Sequence, residues 1–144
     1  EAIRNETADI ISLKKPFLKG ESENQFGIKL SLLGIYAHDE ALYFQLKLEN
    51  NTNVDYTIDQ LRFFARDGKK AKRTAAQEIE LPALSVTGNN QIIRSNSLQT
   101  VVLSLAKMTV PAEKLLFLEL EELQGGRNLK LKIPADLILS AQGL

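Results

Sequence analysis

The stretch LLFLELEELQGGRNLKLKIP (residues 115–134) contains two alternating runs of apolar and polar residues on either side of a Gly-Gly pair. A period of two is typical of strands with one buried face, and a glycine pair between such runs is typical of a two-residue hairpin turn with positive φ. That turn places Leu120 opposite Leu131 and Glu121 opposite Lys130. One face of the predicted hairpin is therefore apolar, and the other pairs opposite charges.

The same period of two recurs upstream of this hairpin. In IKLSLLGIYA (residues 28–37) the alternation slips by one residue beside Gly34, which predicts a β-bulge. Further short apolar runs, separated by turn residues, predict about seven to nine strands in an all-β fold, an antiparallel immunoglobulin-like β-sandwich with a short N-terminal helix. The expected core includes Leu46, Leu48, Ile58, Leu61, Val102, Leu118, Leu120 and Leu131.

The N-terminal residues lack this strand period. EAIRNETADIISLKKPFLKG predicts a short helix, with Thr7 or Asn5 as the capping residue. The polar run ESENQF (residues 21–26) is interpreted as a linker. The predicted organisation is a helix and linker over residues 1–25 and a β-sandwich domain over residues 26–144.

Composition narrows the classes of function. The 144 residues include 18 basic and 18 acidic side chains, whereas a dedicated nucleic-acid-binding domain usually has a basic excess. The chain has no cysteine and a single histidine, His38, which leaves little for thiolate, histidine or metal chemistry. We therefore expect no catalytic residues, no metal and no cofactor. No apolar run is long enough to cross a bilayer.

Three motifs have both a functional and a structural interpretation, and we favour the structural one for each. HDE (residues 38–40) looks like a metal cluster, but successive strand side chains point to opposite faces, so a turn is expected. NNT (residues 50–52) matches the glycosylation acceptor pattern and is also expected in a polar loop. A set of aromatic residues is either core or a stacking platform for bases or sugars: Tyr36, Tyr43, Tyr56, Phe63 and Phe64.

The run DQLRFFARDGKKAKRTAAQE (residues 59–78) contains the densest basic cluster. We interpret it as a hairpin that turns at Asp67-Gly68 and carries hydrated side chains at its tip. The alternative is a surface that contacts a partner. The candidate contact residues are Arg66, Lys69, Lys70, Lys72 and Arg73.

The longer segment YFQLKLENNTNVDYTIDQLRFFARDGKKAKRTAAQEIEL (residues 43–81) resembles the C-terminal domain of the TraN proteins encoded by conjugative transposons. The resemblance is carried by LxLEN before a polar loop, then YxIDQLRFF, then RDxKKxKRTAxQE. It continues more loosely over residues 27–134. TraN-like proteins are in turn remotely similar to the outer-ring subunit of type IV secretion systems, whose C-terminal domain is a β-sandwich.

This resemblance implies a structural or assembly domain without catalysis in a conjugative DNA-transfer apparatus. It implies a periplasmic location associated with the outer membrane, and an oligomer in the full assembly. By analogy, the partners are other subunits of the apparatus, namely a small lipoprotein and a larger scaffold subunit. We expect the basic tip to contact an acidic patch on another subunit or lipid head groups, and DNA binding is not expected because the domain is neutral.

Two other classes of function remain open at this point. The first is an accessory protein that contacts nucleic acid through the basic hairpin of residues 62–73. The second is a sandwich that binds a sugar or another small ligand through its tyrosines. A continuous basic face would favour the first, and an exposed aromatic stripe beside a groove would favour the second.

Overall fold

The computed structural model of the chain describes residues 2–67, 78–107 and 114–144. They form two mostly antiparallel sheets that pack as a sandwich behind a short N-terminal helix, which confirms the predicted fold class. The helices are α1 (Ala2–Ser12) and α2 (Ala135–Ile138), and neither is long and apolar enough to cross a membrane. The strands are β1 (Ser22–Gln25), β2 (Ile28–His38), β3 (Ala41–Asn50), β4 (Tyr56–Asp67), β5 (Glu78–Leu81), β6 (Ser85–Thr87), β7 (Ile92–Ile93), β8 (Ser97–Ala106), β9 (Lys114–Glu122), β10 (Leu129–Ile133) and β11 (Gln142–Gly143).

The first sheet has the strand order β1-β2-β3-β8-β6, and β11 pairs with β2 in parallel. The second sheet has the order β10-β9-β4-β5, and β7 pairs with the start of β4. The described residues therefore contain eleven strands, more than the sequence predicted. Among them, β6, β7 and β11 have only two or three residues each, which is too short for a period of two to be seen.

The core lies between the two sheets. At its centre the rings of Phe44 on β3 and Phe63 on β4 are 4.8 Å apart between centroids. The predicted core is confirmed with two qualifications: Leu61 is only partly buried, and Val102 is buried on the outer face of the first sheet. The other predicted core residues are buried between the sheets: Leu46, Leu48, Ile58, Leu118, Leu120 and Leu131.

Two bulges correct the side-chain alternation where it would otherwise fail. The predicted bulge at Gly34 is confirmed, because the pairing of β2 with β3 shifts between Leu32 and Gly34. A Cβ atom at Gly34 would lie 2.9 Å from the ring of Phe17, so glycine lets that ring approach the sheet. A second shift, between Ile58 and Gln60 on β4, allows Ile58 to face the core together with residues further along the strand.

Helix α1 packs on the outer face of the first sheet. Its buried residues Ala8 and Ile11 belong to a second, smaller apolar cluster with Tyr36 and Tyr43 of the sheet. The buried Gln45 amide donates hydrogen bonds to the carbonyl oxygens of Ile11 (3.0 Å) and Lys14 (2.9 Å). The Ile11 carbonyl oxygen also accepts from the Lys14 N–H (3.0 Å), so the Gln45 bonds tie the end of the helix and the residues after it to the sheet.

Two predictions for the N-terminal residues are wrong. Helix α1 begins at Ala2, ahead of both predicted caps, and Thr7 is buried within the helix. The expected linker contains strand β1, which pairs with residues 28–31 of β2. Polar composition suggested a linker here because the side chains of an edge strand are largely exposed to solvent.

The β9–β10 hairpin has the predicted faces but a different register. Leu129 lies opposite Leu120, and Leu131 lies opposite Leu118, so the pairing is shifted by two residues from the prediction. A shift of two leaves every side chain on its predicted face, since the period is two. Glu119, rather than Glu121, is therefore the residue opposite Lys130.

The shift arises because the loop between β9 and β10 is longer than two residues. Its residue with positive φ is Gln124 (53°), and neither Gly125 nor Gly126 is in that region. The loop is closed by side chains: the Glu122 carboxylate accepts a hydrogen bond from the Arg127 N–H (3.1 Å), and the Asn128 amide oxygen accepts one from the Glu122 N–H (2.9 Å). The Gly125-Gly126 pair alone does not predict these side-chain contacts.

Truncating Leu120 to Ala should lower the free energy of unfolding by about 2–5 kcal/mol, because it removes a buried side chain from the centre of the sandwich. Leu123→Ala is the matched control, since Leu123 lies three residues away and 48% of it is exposed. Urea unfolding of both variants measures the difference. Equal losses would show that the apolar face of β9 has been assigned incorrectly.

Arg127→Val should destabilise the protein more than Gly126→Val. Nothing lies within 4 Å of a Cβ atom at Gly126, whereas Arg127 bonds the Glu122 carboxylate and the Asp55 carbonyl oxygen. Loss of these charge-assisted bonds should cost about 1–3 kcal/mol. Thermal melts of the two variants provide the test, and a two-residue glycine turn would give the opposite order.

Candidate interaction surfaces

The basic hairpin places Arg62 and Arg66 on the outer face of the second sheet, while its other predicted contact residues, Lys69, Lys70, Lys72 and Arg73, lie outside the described residues. The Arg62 guanidinium donates to both carboxylate oxygens of Glu121 (2.9 and 3.0 Å) and contacts Glu80 (3.3 Å). Arg66 lies 4.0 Å from Glu78. Both described cations of this hairpin are therefore paired within the sheet.

These pairs belong to a larger surface, the charged face, which covers two aromatic rings. Arg62 lies over the ring of Phe64, and Arg66 and Lys130 both lie over the ring of Phe117. The charged face consists of Arg62, Phe64, Arg66, Glu78, Glu80, Phe117, Glu119, Glu121, Lys130 and Lys132. Cations placed over rings in this way are attracted by the negative faces of the aromatic π-systems.

Electrostatics on the charged face are balanced. Lys130 Nζ lies 2.7 Å from Glu78 and 3.2 Å from Glu119. The hydrogen bond from Lys130 lowers the pKa of the Glu78 carboxyl group, and the same bond raises the pKa of Lys130. The face carries four cations and four carboxylates, so the part of it that the structure describes is not the continuous basic patch that nucleic-acid binding requires.

A surface cleft of about 280 Å³ lies between the edge strands β1 and β10. It is lined by Glu23 and Gln25 of β1 and by the polar end of the second sheet. Within residues 2–67, 78–107 and 114–144, no cluster of three or more His, Asp or Glu side chains has the arrangement of a metal site. The residues of the second sheet and of the loop before β10 that line the cleft are Glu119, Glu121, Asn128, Leu129 and Lys130.

The two short motifs have structural roles. Asp39 and Glu40 form the expected turn between β2 and β3, with φ values of 47° and 61°, and His38 is the last residue of β2. Asn50 of the NNT motif is fully buried. Its amide nitrogen donates to the carbonyl oxygens of Val54 (2.8 Å) and Ile93 (3.0 Å), and its amide oxygen accepts from Thr52. Asn50 thus joins the β3–β4 loop to β7.

The aromatic residues considered as a stacking platform are mostly in the interior. Tyr36, Tyr43, Tyr56 and Phe63 are buried, and Phe64 is half-buried beneath Arg62. The Tyr56 hydroxyl donates to the Arg127 carbonyl oxygen (2.6 Å). Burial raises the pKa of that hydroxyl well above its ordinary value, so Tyr56 stays neutral and acts as a donor. This set provides no exposed stripe for a base or sugar.

One end of the sandwich exposes apolar side chains that the sequence analysis missed. The β1–β2 turn, the β3–β4 loop and the segment before β8 meet there, joined by hydrogen bonds from the Asn51 N–H to the Gly27 carbonyl oxygen (2.8 Å) and from the Asn96 N–H to the Thr52 carbonyl oxygen (3.0 Å). The exposed residues are Phe26 (54%), Val54 (62%) and Leu98 (62%). We call these three side chains the loop-end patch. Single apolar residues in polar turns give no periodic signal.

The same end of the sandwich holds the ion pair between Glu122 and Arg127. The Arg127 guanidinium bonds the Glu122 carboxylate through Nε (3.0 Å) and the Asp55 carbonyl oxygen through Nη2 (3.0 Å). Only 12% of the Glu122 side chain and 21% of the Arg127 side chain are exposed. Hydrogen bonding from Arg127 lowers the pKa of the Glu122 carboxyl group, so this pair ties the β9–β10 loop to the start of β4.

The family described as domain of unknown function (DUF4138) matches residues 2–143. The chain belongs to this family. Comparisons of this DUF4138 domain with curated proteins and with solved structures found no match. The match spans α1 as well as both sheets, so the family pattern includes the helix packed on the first sheet.

Glu122→Gln should make the stability of the DUF4138 domain less dependent on pH. The folded-state pKa of Glu122 lies below its ordinary value of 4.5, so its stabilisation is complete above that value and is lost as the pH falls through the lower folded pKa. At neutral pH the variant should be less stable by about 1–3 kcal/mol, and the gap should close in acid.

Urea unfolding from neutral pH down to about pH 3 measures this gap. Glu6→Gln is the control, because Glu6 is exposed on α1. A gap for Glu122→Gln that is unchanged across the range would show that the carboxylate charge does not contribute.

Proposed function

We propose that this DUF4138 domain is a non-catalytic assembly module of a conjugative DNA-transfer apparatus, acting through protein–protein contacts in the cell envelope. The observation that carries the proposal is family membership over residues 2–143, because the family is associated with conjugative transposons. The finer resemblance to TraN proteins, through the motifs of residues 43–81, is part of the same proposal. The proposal includes a periplasmic location associated with the outer membrane.

The form of the sandwich supports a role in assembly. Strands β10 and β5 are the terminal strands of the second sheet, and terminal strands present backbone groups that a partner strand can pair with. On β10 the exposed side chains are Lys130 and Lys132, between buried leucines. A partner subunit that adds a strand beside β10 would thus meet cations as well as open backbone groups. By analogy with type IV secretion systems, the proposed partners are a lipoprotein and a scaffold subunit.

The described residues give less support to the two alternatives. A nucleic-acid phosphate approaching Arg62 would have to displace the two-oxygen contact with Glu121, and one approaching Arg66 would compete with Glu78. Binding by such neutralised cations would be weak and sensitive to salt. Recognition of a sugar would need an exposed ring, and the aromatic residues proposed for it are buried or covered.

Co-purification of the tagged full-length protein from cells that carry the transfer genes tests the proposal. We expect recovery of other envelope-spanning subunits of the apparatus. Cells that express the tagged protein without the other transfer genes provide the control for non-specific recovery. Recovery of relaxase and DNA alone would contradict the proposal and favour a nucleic-acid-contacting role.

Replacing the four hairpin cations Lys69, Lys70, Lys72 and Arg73 with Glu should leave the melting temperature nearly unchanged, because exposed charges contribute little to stability. It should nevertheless lower transfer frequency in a mating assay, if these cations contact an acidic patch of another subunit or lipid head groups. The purified variant and wild-type domains should both show no salt-resistant binding to DNA.

The matched control reverses four exposed lysines elsewhere and so has the same net charge. Its transfer frequency should stay at the wild-type level. Equal mating by the two variants would show that the hairpin cations serve solubility alone, and tight DNA binding by the wild-type domain at physiological salt would favour the nucleic-acid role. The control positions are Lys14, Lys15, Lys19 and Lys107.

A further inference from the structure

Phe26 has a backbone conformation that its residue type disfavours. In the two-residue turn between β1 and β2, φ is 59° at Phe26 and 74° at Gly27. Positive φ at both positions defines a turn for which Asn-Gly is the preferred sequence, and for a bulky side chain this region is an outlier. Burial does not offset the strain, since 54% of Phe26 is exposed. The fold therefore gains little from phenylalanine at this position.

The surroundings hold Phe26 in place. A Cβ atom at Gly27 would lie 2.4 Å from the Thr52 side chain, so the turn packs directly against the β3–β4 loop. That loop is fixed from below by the buried Asn50. Residue Asn96, on the segment before β8, bonds the loop through its backbone and donates from its side chain to Asn53 (2.8 Å). Phe26 and Val54 are thus carried on segments that are bonded to one another, and Leu98 is the second residue of β8, directly after the third of these segments.

Charge limits what the loop-end patch can bind. The three bonded segments at this end (residues 26–27, 51–55 and 94–96) contain two charged side chains, Asp55 and Arg94. These two lie 3.2 Å apart and pair with each other. Asp55 also accepts a hydrogen bond from the Ser95 N–H (2.8 Å). On β3, Glu49 lies directly opposite Leu98, with Lys29 of β2 opposite it on its other side and Lys47 Nζ at 3.8 Å. The charges of the described residues around the loop-end patch are therefore mixed in sign, and they do not form the basic cluster that a phosphate or an anionic lipid head group requires.

We propose that the loop-end patch docks an uncharged apolar segment of a protein partner. This inference rests on the proposed function, because the partner is taken to be another subunit of the transfer apparatus. A strained and exposed aromatic residue is typical of functional sites, where the surrounding structure holds the strain. A rigid apolar surface also binds with a small loss of conformational entropy. Apolar side chains of the partner would cover Phe26, Val54 and Leu98 and exclude water from them.

The first experiment replaces Phe26 with Asn in the full-length protein. The change creates the preferred Asn-Gly turn, so the melting temperature should rise by roughly 1–4 °C. Capture of the partner subunit should fall about tenfold, as expected for loss of an apolar anchor. Leu139→Asn is the control: it removes an 88% exposed leucine that follows α2, remote from the three turns, and should leave capture unchanged. A lower melting temperature for Phe26→Asn would overturn the inference, because Phe26 would then serve the fold.

The second experiment places a photo-crosslinking phenylalanine analogue at Leu98 in cells that carry the transfer genes. We expect an adduct to an uncharged apolar segment of another subunit, mapped by mass spectrometry. Its yield should be unchanged by raised salt and should fall about tenfold in the Phe26→Asn background, since apolar contacts are not screened. Adducts only to lipid, adducts only to a second copy of this chain, or no adduct would each overturn the inference.

The two levels of proposal fail in different ways. If the wild-type protein recovers the apparatus subunits and Phe26→Asn recovers them equally well, the docking inference is wrong and the assembly role stands. If no apparatus subunit is recovered and Leu98 gives no adduct, both are wrong. If the mapped adduct is to a protein outside the apparatus and depends on Phe26, docking is supported and the assembly role is wrong.

Discussion

The packing of Phe44 against Phe63 across the sandwich is the interaction on which the rest of the structure depends. These two rings join the first sheet to the second at the centre of the core. Each buried aromatic or leucine side chain contributes about 1.5–3 kcal/mol, so burial of the inner faces is the main force that holds the sheets together. It also decides which side chains face outward. The properties of each outer surface therefore follow from the alternation that the core imposes.

The two outer faces are covered in different ways. On the first sheet, Tyr36, Tyr43 and Val102 would expose a large apolar area, and α1 covers them. On the second sheet, the guanidinium groups of Arg62 and Arg66 and the ammonium group of Lys130 lie over the rings of Phe64 and Phe117. The charged side chains that cover the second sheet remain in contact with water, where each ion pair adds only a few tenths to about 1 kcal/mol to the free energy of unfolding. The charged face therefore contributes solubility and a defined pattern of charge more than stability.

Rigidity at the loop end comes from one buried polar side chain. Asn50 makes bonds with both its amide nitrogen and its amide oxygen, so its burial leaves no unpaired group. Asn50 orders the β3–β4 loop, and the neighbouring turns bond to this loop. These contacts hold Phe26 in a backbone conformation that phenylalanine disfavours. The hydrogen bonds that stabilise this region are made by a buried side chain, and the exposed apolar side chains remain available for binding. This division suits a domain whose proposed role is contact with other subunits.

The sequence by itself determined the all-β class, the bulge at Gly34, the turn at residues 39–40 and the apolar face of the β9–β10 hairpin. All of these depend on a period of two or on residues next to each other in the chain, and such signals are local. The buried positions of Leu118 and Leu120 were predictable for the same reason, because a shift of two residues in register does not change the face.

Only the tertiary structure decided the register of that hairpin, the strand at Ser22–Gln25, the helix over Val102 and the pairing of Arg66 with Glu78. The register depends on contacts of Glu122 with Arg127 and Asn128, and β1 exists because β2 offers it an edge. The candidate surfaces were hidden for the same physical reason. The sequence does not show whether a cationic side chain is paired with a carboxylate. It also does not show whether Phe26 is exposed, because exposure depends on the chain segments that pack around it.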